Sequence, residues 1–252
     1  MSTAPPQSNP PCAVILAAGR GERLRPLTDH TPKPLIRVRG KPLIEWHLQA
    51  MARAGVQRVV INTAWLEEQF PAALGDGSRW GLAIHYSMEG RDHGGALETA
   101  GGIANVLPLL GEAFWVVSGD VFVPRFCYPA AAYEAFMQSE RLAQLWLAPN
   151  APHHPQGDFG IDEQGLAVLD ERPRRTWASI GLFRAEMFGG IAPGARMRLT
   201  PLLHQAMAAR RLGAEPWDGG WTDVGSAERL AEANAEAESA AEAEIDTAAD
   251  GS

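Results

Sequence analysis

The sequence predicts an α/β protein: a single doubly wound, mostly parallel mixed sheet with antiparallel additions in its second half. Three observations carry this expectation. Short apolar runs end at glycine or aspartate, as buried parallel strands do. Helical patterns separate those runs, which is the alternation that winds a sheet on both faces. No stretch of about 18 apolar residues occurs, so the 46% hydrophobic content must fill a core and not a membrane span. A chain of 252 residues suffices for one such domain.

The elements follow in order. Ala13 to Ala18 (AVILAA) reads as the first strand. Pro42 opens a helix with Leu43, Ile44, His47, Leu48 and Met51 on one face and Gly55 as its stop. Arg58 to Asn62 and Leu82 to Tyr86 read as strands two and three, and Thr99 to Leu107 as a helix. Phe114 to Val117 forms a fourth strand that ends in Ser118-Gly119-Asp120. Beyond it, helix Pro129 to Gln138 leads to strand Ala143 to Leu147. Asp158 to Leu169 reads as a hairpin turning near Asp162 to Gly165. Trp177 to Phe183 is a strand, and Leu199 to Arg211 a helix. Residues 1–11, rich in Pro, Ser, Thr and Ala, read as a disordered lead-in without the features of a signal peptide. The domain is expected over 12–232, and 233–252 as an acidic Ala/Glu tail that frays. No internal repeat interrupts this order.

Charge is unevenly spread. The net −8 is concentrated from Glu228 onward, where eight acidic residues face one basic residue. The first 60 residues hold nine Lys/Arg against three Asp/Glu. A basic region calls for an anionic partner, and phosphate suits it. Nucleic acid does not fit, because these cations cluster around glycines and prolines and form no helical stripe with interleaved aromatics. Two cysteines, Cys12 and Cys127, are too few for a disulfide framework and lack zinc-ligand spacing. The seven histidines read as ordinary surface or core residues. A cytoplasmic protein, a monomer or small homo-oligomer with no membrane partner, is the expectation.

The densest signal is Leu16 to Leu35, LAAGRGERLRPLTDHTPKPL. A strand enters Gly19-Arg20-Gly21, whose backbone can approach a ligand and offer N–H groups to phosphate. Arg23, Arg25 and Lys33 follow with positive charge. A dinucleotide fingerprint needs a third glycine where this chain has Leu24, and a Walker loop needs a Lys-Ser/Thr that is missing. This is a phosphate loop of another kind. Far downstream, Asp120 ends a strand and Asp223 sits in Trp221-Thr222-Asp223-Val224-Gly225. Each alone reads equally as a turn residue. No Ser/His/Asp nucleophile constellation stands out.

The glycine string, with Arg23-Leu24-Arg25-Pro26 and Pro32-Lys33-Pro34-Leu35, closely resembles the signature of the sugar-phosphate nucleotidyltransferases. The resemblance implies their Rossmann-like fold and a transfer of a nucleoside monophosphate to a sugar 1-phosphate. It places Leu16, Ala17, Ala18, Gly19, Gly21, Glu22, Arg23, Lys33, Ala96 and Gly119 around the nucleotide. Arg23 and Lys33 carry the catalytic charge stabilisation. Asp120 and Asp223, in motifs resembling the family's G-D and W-x-D-x-G, would hold Mg²⁺, which favours carboxylates, phosphates and water. Asp158, Glu171 and Arg172 would meet the sugar phosphate, with Arg172 where relatives carry Lys. Glu89 and Glu98 stand near the base or ribose, or are simply solvated, and Leu97 reads as core.

Strings such as KPLIEWHLQAMARAGV, ALETAGGI and WTDVGSAERLAEAN are similar to those of the bacterial N-acetylmuramate α-1-phosphate uridylyltransferases. That branch implies UTP and MurNAc 1-phosphate as substrates and a place in peptidoglycan recycling. Mannose-1-phosphate guanylyltransferase, glucose-1-phosphate uridylyl- or thymidylyltransferase, and a non-catalytic nucleotide-sugar-binding subunit are the alternatives.

Overall fold

The structure, a computed structural model, describes residues 11–235. The first half runs β1 (Cys12–Ala17), β2 (Arg37–Val38), β3 (Lys41–Pro42), α1 (Leu43–Arg53), β4 (Arg58–Thr63), α2 (Gln69–Leu74), β5 (Ala83–Met88), α3 (Glu89–His93), α4 (Glu98–Val106) and β6 (Ala113–Ser118). The second half runs β7 (Val121–Phe122), α5 (Ala130–Gln138), β8 (Ala143–Ala148), β9 (Gly160–Ile161), β10 (Ala167–Val168), β11 (Thr176–Arg184), α6 (Thr200–Ala208), β12 (Leu212–Pro216) and β13 (Thr222–Asp223), then a helix α7 over 227–235.

Seven strands form the central sheet in the order β12-β8-β11-β6-β1-β4-β5. β6, β1, β4 and β5 are parallel neighbours. The second half carries the antiparallel additions, β11 within the sheet and the pairs β9–β10 and β7–β13 beside it. β11 alone runs against its neighbours β6 and β8, whereas β8 and β12 pair in parallel. β12 has no clear strand signal because LGAEP contains Gly and Pro. β12 lies at the edge of the sheet, where both are tolerated. The hairpin expected near Asp162 is present as the β9–β10 pair, its turn fixed by Asp162 Oδ1, which accepts the N–H of Gln164 and of Leu166 at 2.9 Å each.

Alternation along the strands sorts the core into two layers. In β1, Ala13, Ile15 and Ala17 join a layer with Ile44, Leu48 and Met51 of α1 and Phe70 of α2. Val14 faces the other way, toward Ala100, Ile103 and Ala104 of α4 and Leu202, Leu203 and Ala206 of α6. Helices thus cover both faces, which is why the inner strands are apolar on both sides over most of their length. A third cluster of Val38, Leu43, Phe122, Val224 and Ala233 pins α7 to the β2–β3 hairpin. Asn234 Oδ1 accepts the Arg39 N–H at 2.7 Å, so the packed chain continues past residue 232. The rest of the expected tail, and the expected lead-in before Pro11, lie outside the described residues.

His47 is one polar member of the core. Its Nε2 donates to the Val121 carbonyl at 2.8 Å, which leaves Nδ1 to accept from the Tyr128 hydroxyl at 2.9 Å. Burial, opposed by that carbonyl bond, pushes its pKa down to about 4. A depressed histidine favours the folded state fully above its unfolded pKa, and this is lost as pH falls from about 6.5 toward about 4. Stability should drop by about 2 kcal/mol between about pH 7.5 and about pH 5 through this residue. Urea unfolding at both pH values should show a smaller drop in His47→Gln; an equal drop would remove His47 as its source.

Candidate active site

The site forms at the carboxyl ends of β1 and β6. The chain leaves β1 toward β4 on one side and returns to β6 on the other, so a crevice opens between them, where open α/β sheets take ligands. Past β1 the backbone turns through Gly19 to Gly21. Gly21 has φ +66°, and a Cβ there would lie 2.9 Å from Thr28 Cγ2 and 3.2 Å from Lys33 Cβ. Its carbonyl accepts the Thr28 hydroxyl at 2.9 Å. Only glycine lets this loop close over the 28–33 segment and bring Lys33 beneath it.

Lys33 is the centre of the site. Its Nζ donates to Asp120 Oδ2 at 2.6 Å and to Asp223 Oδ1 at 3.5 Å. Two aspartates a hundred residues apart in sequence therefore converge on one ammonium. Adjacency of β7 and β13 explains this, because Asp223 pairs with Val121, the residue after Asp120. The lysine side chain is only 8% exposed, whereas the Asp120 and Asp223 side chains are 35% and 23% exposed, so the carboxylates remain open to the cleft. Burial alone would push the Asp120 carboxyl up. The Lys33 charge beside it and hydrogen bonds from Lys33 and Ser118 outweigh this and hold it below the usual carboxylate range.

A cavity of about 600 Å³ lies over these groups. Leu16 through Gly19, Gly21 through Arg23, Lys33, Ala96 and Asp120 line it. Asp223 lines an adjoining cavity of about 400 Å³ that shares Arg23, Ser118 and Asp120 with the first.

Other expected residues lie elsewhere. Gly119 packs behind the loop, where its N–H donates to Leu16 O at 2.8 Å and a Cβ would meet Leu16 O at 3.1 Å. Glu171 and Arg172 are exposed and line none of these cavities; Glu171 packs against Gly160 of β9. Asp158 lines a third cavity and also braces it: Oδ2 accepts the Trp177 N–H at 2.8 Å, and Oδ1 lies 3.1 Å from His154 Nε2. Glu89 is fully buried, with Oε1 accepting from Asn62 Nδ2 and Oε2 from the Leu97 N–H, both at 2.8 Å. Both oxygens are thus engaged inside the protein, and burial raises its pKa. Leu97 is core, at 1% exposure, and Glu98 faces the cleft.

Three further residues emerge from the structure. Asn62, at the end of β4, takes the Ala17 N–H on Oδ1 at 2.9 Å while its Nδ2 holds Glu89, so it ties the start of the phosphate loop to α3 and α4. Ser118 Oγ donates to Asp120 Oδ1 at 2.6 Å. Arg229 of α7 donates to Asp223 Oδ2 at 3.0 Å and contacts His153 Nε2 at 2.7 Å. Only the last has a spacing cue, six residues beyond Asp223 on the following helix.

The chain is similar to known proteins in sequence and in fold. A Neisseria meningitidis serogroup B protein named N-acetylmuramate alpha-1-phosphate uridylyltransferase is 48% identical, over 88% of this chain and 96% of its own. A Caulobacter vibrioides protein of the same name is 28% identical over 89% and 98%. The solved structure of HddC from Yersinia pseudotuberculosis complexed with GMP-PN superposes with a TM-score of 0.68 at 18% identity, covering 89% of this chain and 98% of that one. A solved chain from Bacillus anthracis does so with a TM-score of 0.73 at 21% identity, covering 89% and 94%. The match to the family described as nucleotidyl transferase runs over residues 12–240, from β1 through the whole of α7. From the strand that enters the glycine loop to the helix that carries Arg229, the chain belongs to the nucleotidyl transferase family.

Proposed function

We propose that this chain transfers the uridylyl group of UTP to N-acetylmuramic acid α-1-phosphate, giving UDP-MurNAc and pyrophosphate, as a step of peptidoglycan recycling. One observation carries the reaction class: an ammonium bridges two carboxylates from distant strands on the floor of a cavity rimmed by a glycine loop. Likeness to the Neisseria protein supports the choice of nucleotide and sugar.

The chemistry needs no general base. A phosphate monoester has its second ionisation near about pH 6, so the sugar phosphate is mostly a dianion at neutral pH. One of its oxygens attacks the α-phosphorus. The bond from that phosphorus to the oxygen bridging to the β-phosphate breaks, and the electron pair leaves with pyrophosphate. The difficulty is bringing two anions together. Arg23, at the loop, and Lys33, at the floor, offset that charge as it shifts onto the leaving group. Backbone N–H groups of Gly19 to Gly21 hold phosphate oxygens, and Ala96 leaves room for the base. In-line alignment of the attacking and leaving oxygens supplies the rest.

Asp120 and Asp223 suit Mg²⁺. They are hard oxygen donors, partly open, and their charge is balanced here by an ammonium in the position a cation would serve. Among the described residues no group of three or more His, Cys, Asp or Glu gathers, so phosphates and water would complete such a coordination sphere. When bound, the ion neutralises phosphate charge. Pyrophosphate release should be measured over a panel of triphosphates and sugar 1-phosphates, with and without Mg²⁺. UTP with MurNAc 1-phosphate should give the highest kcat/KM. Preference for GTP with mannose 1-phosphate would overturn the assignment.

A further inference from the structure

The third cavity, of about 430 Å³, is not explained by phosphate chemistry. It shares Glu98 and Thr99 with the nucleotide cavity, and Trp177 with the cavity that holds Asp120 and Asp223. A sugar ring lying against Trp177, with its phosphate at the aspartates, therefore faces into it. This wall is rigid. The Trp177 N–H is held by Asp158, and its Nε1 donates to Ile180 O at 2.9 Å.

Arg198 lines the same cavity, with His204 beside it. The backbone on either side of Arg198 is anchored. Met197 N–H donates to Leu97 O at 3.0 Å, and Met197 O accepts from Ala100 and Gly101 N–H at 2.9 and 3.0 Å. Leu199 is buried. Gly101 is glycine because a Cβ would fall 2.2 Å from Ala195 O, so this segment lies directly on the start of α4. Arg198 thus springs from a fixed point next to the nucleotide helix. Arg198 is exposed, and its guanidinium pairs with no carboxylate among the described residues, so it is available to an incoming anion. The carboxylates of this cavity, Glu98 and Asp158, suit sugar hydroxyls and amides, which leaves the guanidinium as the group that meets an anion.

We infer that Arg198 binds a carboxylate carried on the sugar ring, so that the enzyme selects a sugar 1-phosphate bearing a second anion over a neutral one. This inference rests on the acceptor reading above: N-acetylmuramic acid differs from N-acetylglucosamine by a lactyl ether ending in a carboxylate. A planar guanidinium meets a carboxylate through two parallel hydrogen bonds, which a lysine cannot reproduce.

The test compares MurNAc 1-phosphate with GlcNAc 1-phosphate as acceptors at saturating UTP, in the wild type, Arg198→Gln and Arg198→Lys. Losing a charge-assisted hydrogen bond corresponds to about 10-fold to 100-fold in affinity. In Arg198→Gln the KM for MurNAc 1-phosphate should rise by about that factor with kcat little changed, and the preference over GlcNAc 1-phosphate should collapse. Arg198→Lys should restore part of it. If Arg198→Gln keeps the wild-type ratio of the two KM values, the inference falls while the acceptor assignment stands. If the wild type releases no pyrophosphate with either acceptor, the acceptor assignment falls and the inference with it.

Discussion

Asp120→Asn, Asp223→Asn and Lys33→Ala are each expected to lower turnover by about 10²–10³-fold, the usual cost of removing one charge-stabilising group from a reacting centre. The three act at one point, since the ammonium lies 2.6 Å from one carboxylate and 3.5 Å from the other. They should nevertheless differ in kind. Each Asn variant keeps the shape of the side chain and removes a negative charge, so it should need more Mg²⁺ to reach half its maximal rate. Lys33→Ala keeps both carboxylates and loses the cation that offsets phosphate charge, so extra Mg²⁺ should compensate it partly. The effects should not add in double variants, because the groups share partners. Steady-state pyrophosphate release at several Mg²⁺ concentrations, with circular dichroism to confirm folding, measures all of this. Turnover near wild type in all three variants would remove the site from these residues.

Glu89→Ala should cost about 3 kcal/mol of folding stability and raise the KM for nucleotide. The carboxylate is fully buried and accepts from both Asn62 Nδ2 and the Leu97 N–H. Truncation orphans two buried donors, each worth about 1–3 kcal/mol, and leaves a cavity. Glu89→Gln is a sharper variant. One of its two terminal atoms becomes a donor and must face another donor. Asn62 cannot relieve this by flipping, because its Oδ1 already holds the Ala17 N–H at 2.9 Å. Glu89→Gln should therefore also be destabilised, by about 1–3 kcal/mol. Since Asn62 joins Glu89 to the entrance of the phosphate loop, nucleotide KM should rise in both variants while acceptor KM changes little. Denaturant unfolding and two-substrate kinetics check the two halves. Wild-type stability in Glu89→Gln would show that the buried network is not what holds these loops together.

The residues that could be read ahead of the structure share a property: their chemistry is local. A strand that runs into Gly19-Arg20-Gly21 must turn there, and cations next to it must meet an anion. Lys33, Arg23 and the backbone from Leu16 to Gly19 accordingly line the cleft. Asp120 was legible because it ends an apolar strand, and Asp223 only through the likeness of its surrounding motif. Residues assigned through motif likeness alone sit differently. Glu171 and Arg172 follow a hairpin whose path no local rule fixes, and they are exposed and line none of the cavities described. Gly119 serves packing behind the loop and does not line the cleft. Glu89, expected near the base or ribose or else solvated, is buried, since nothing near it in sequence indicates that Asn62, 27 residues earlier, would be its partner.

By itself, then, the sequence determined the alternation of strand and helix and the glycine loop with its cations. These depend on hydrophobic period and on backbone freedom, which act over a few residues. Tertiary structure alone decided that Lys33 sits between Asp120 and Asp223, that Asn62 and Glu89 brace the loops, that Arg229 steadies Asp223, and that Arg198 faces a cavity beside the nucleotide helix. Each of these needs strands far apart in sequence to become neighbours. Strand order is settled by burying both faces of the whole sheet at once, and no short stretch of sequence carries that information.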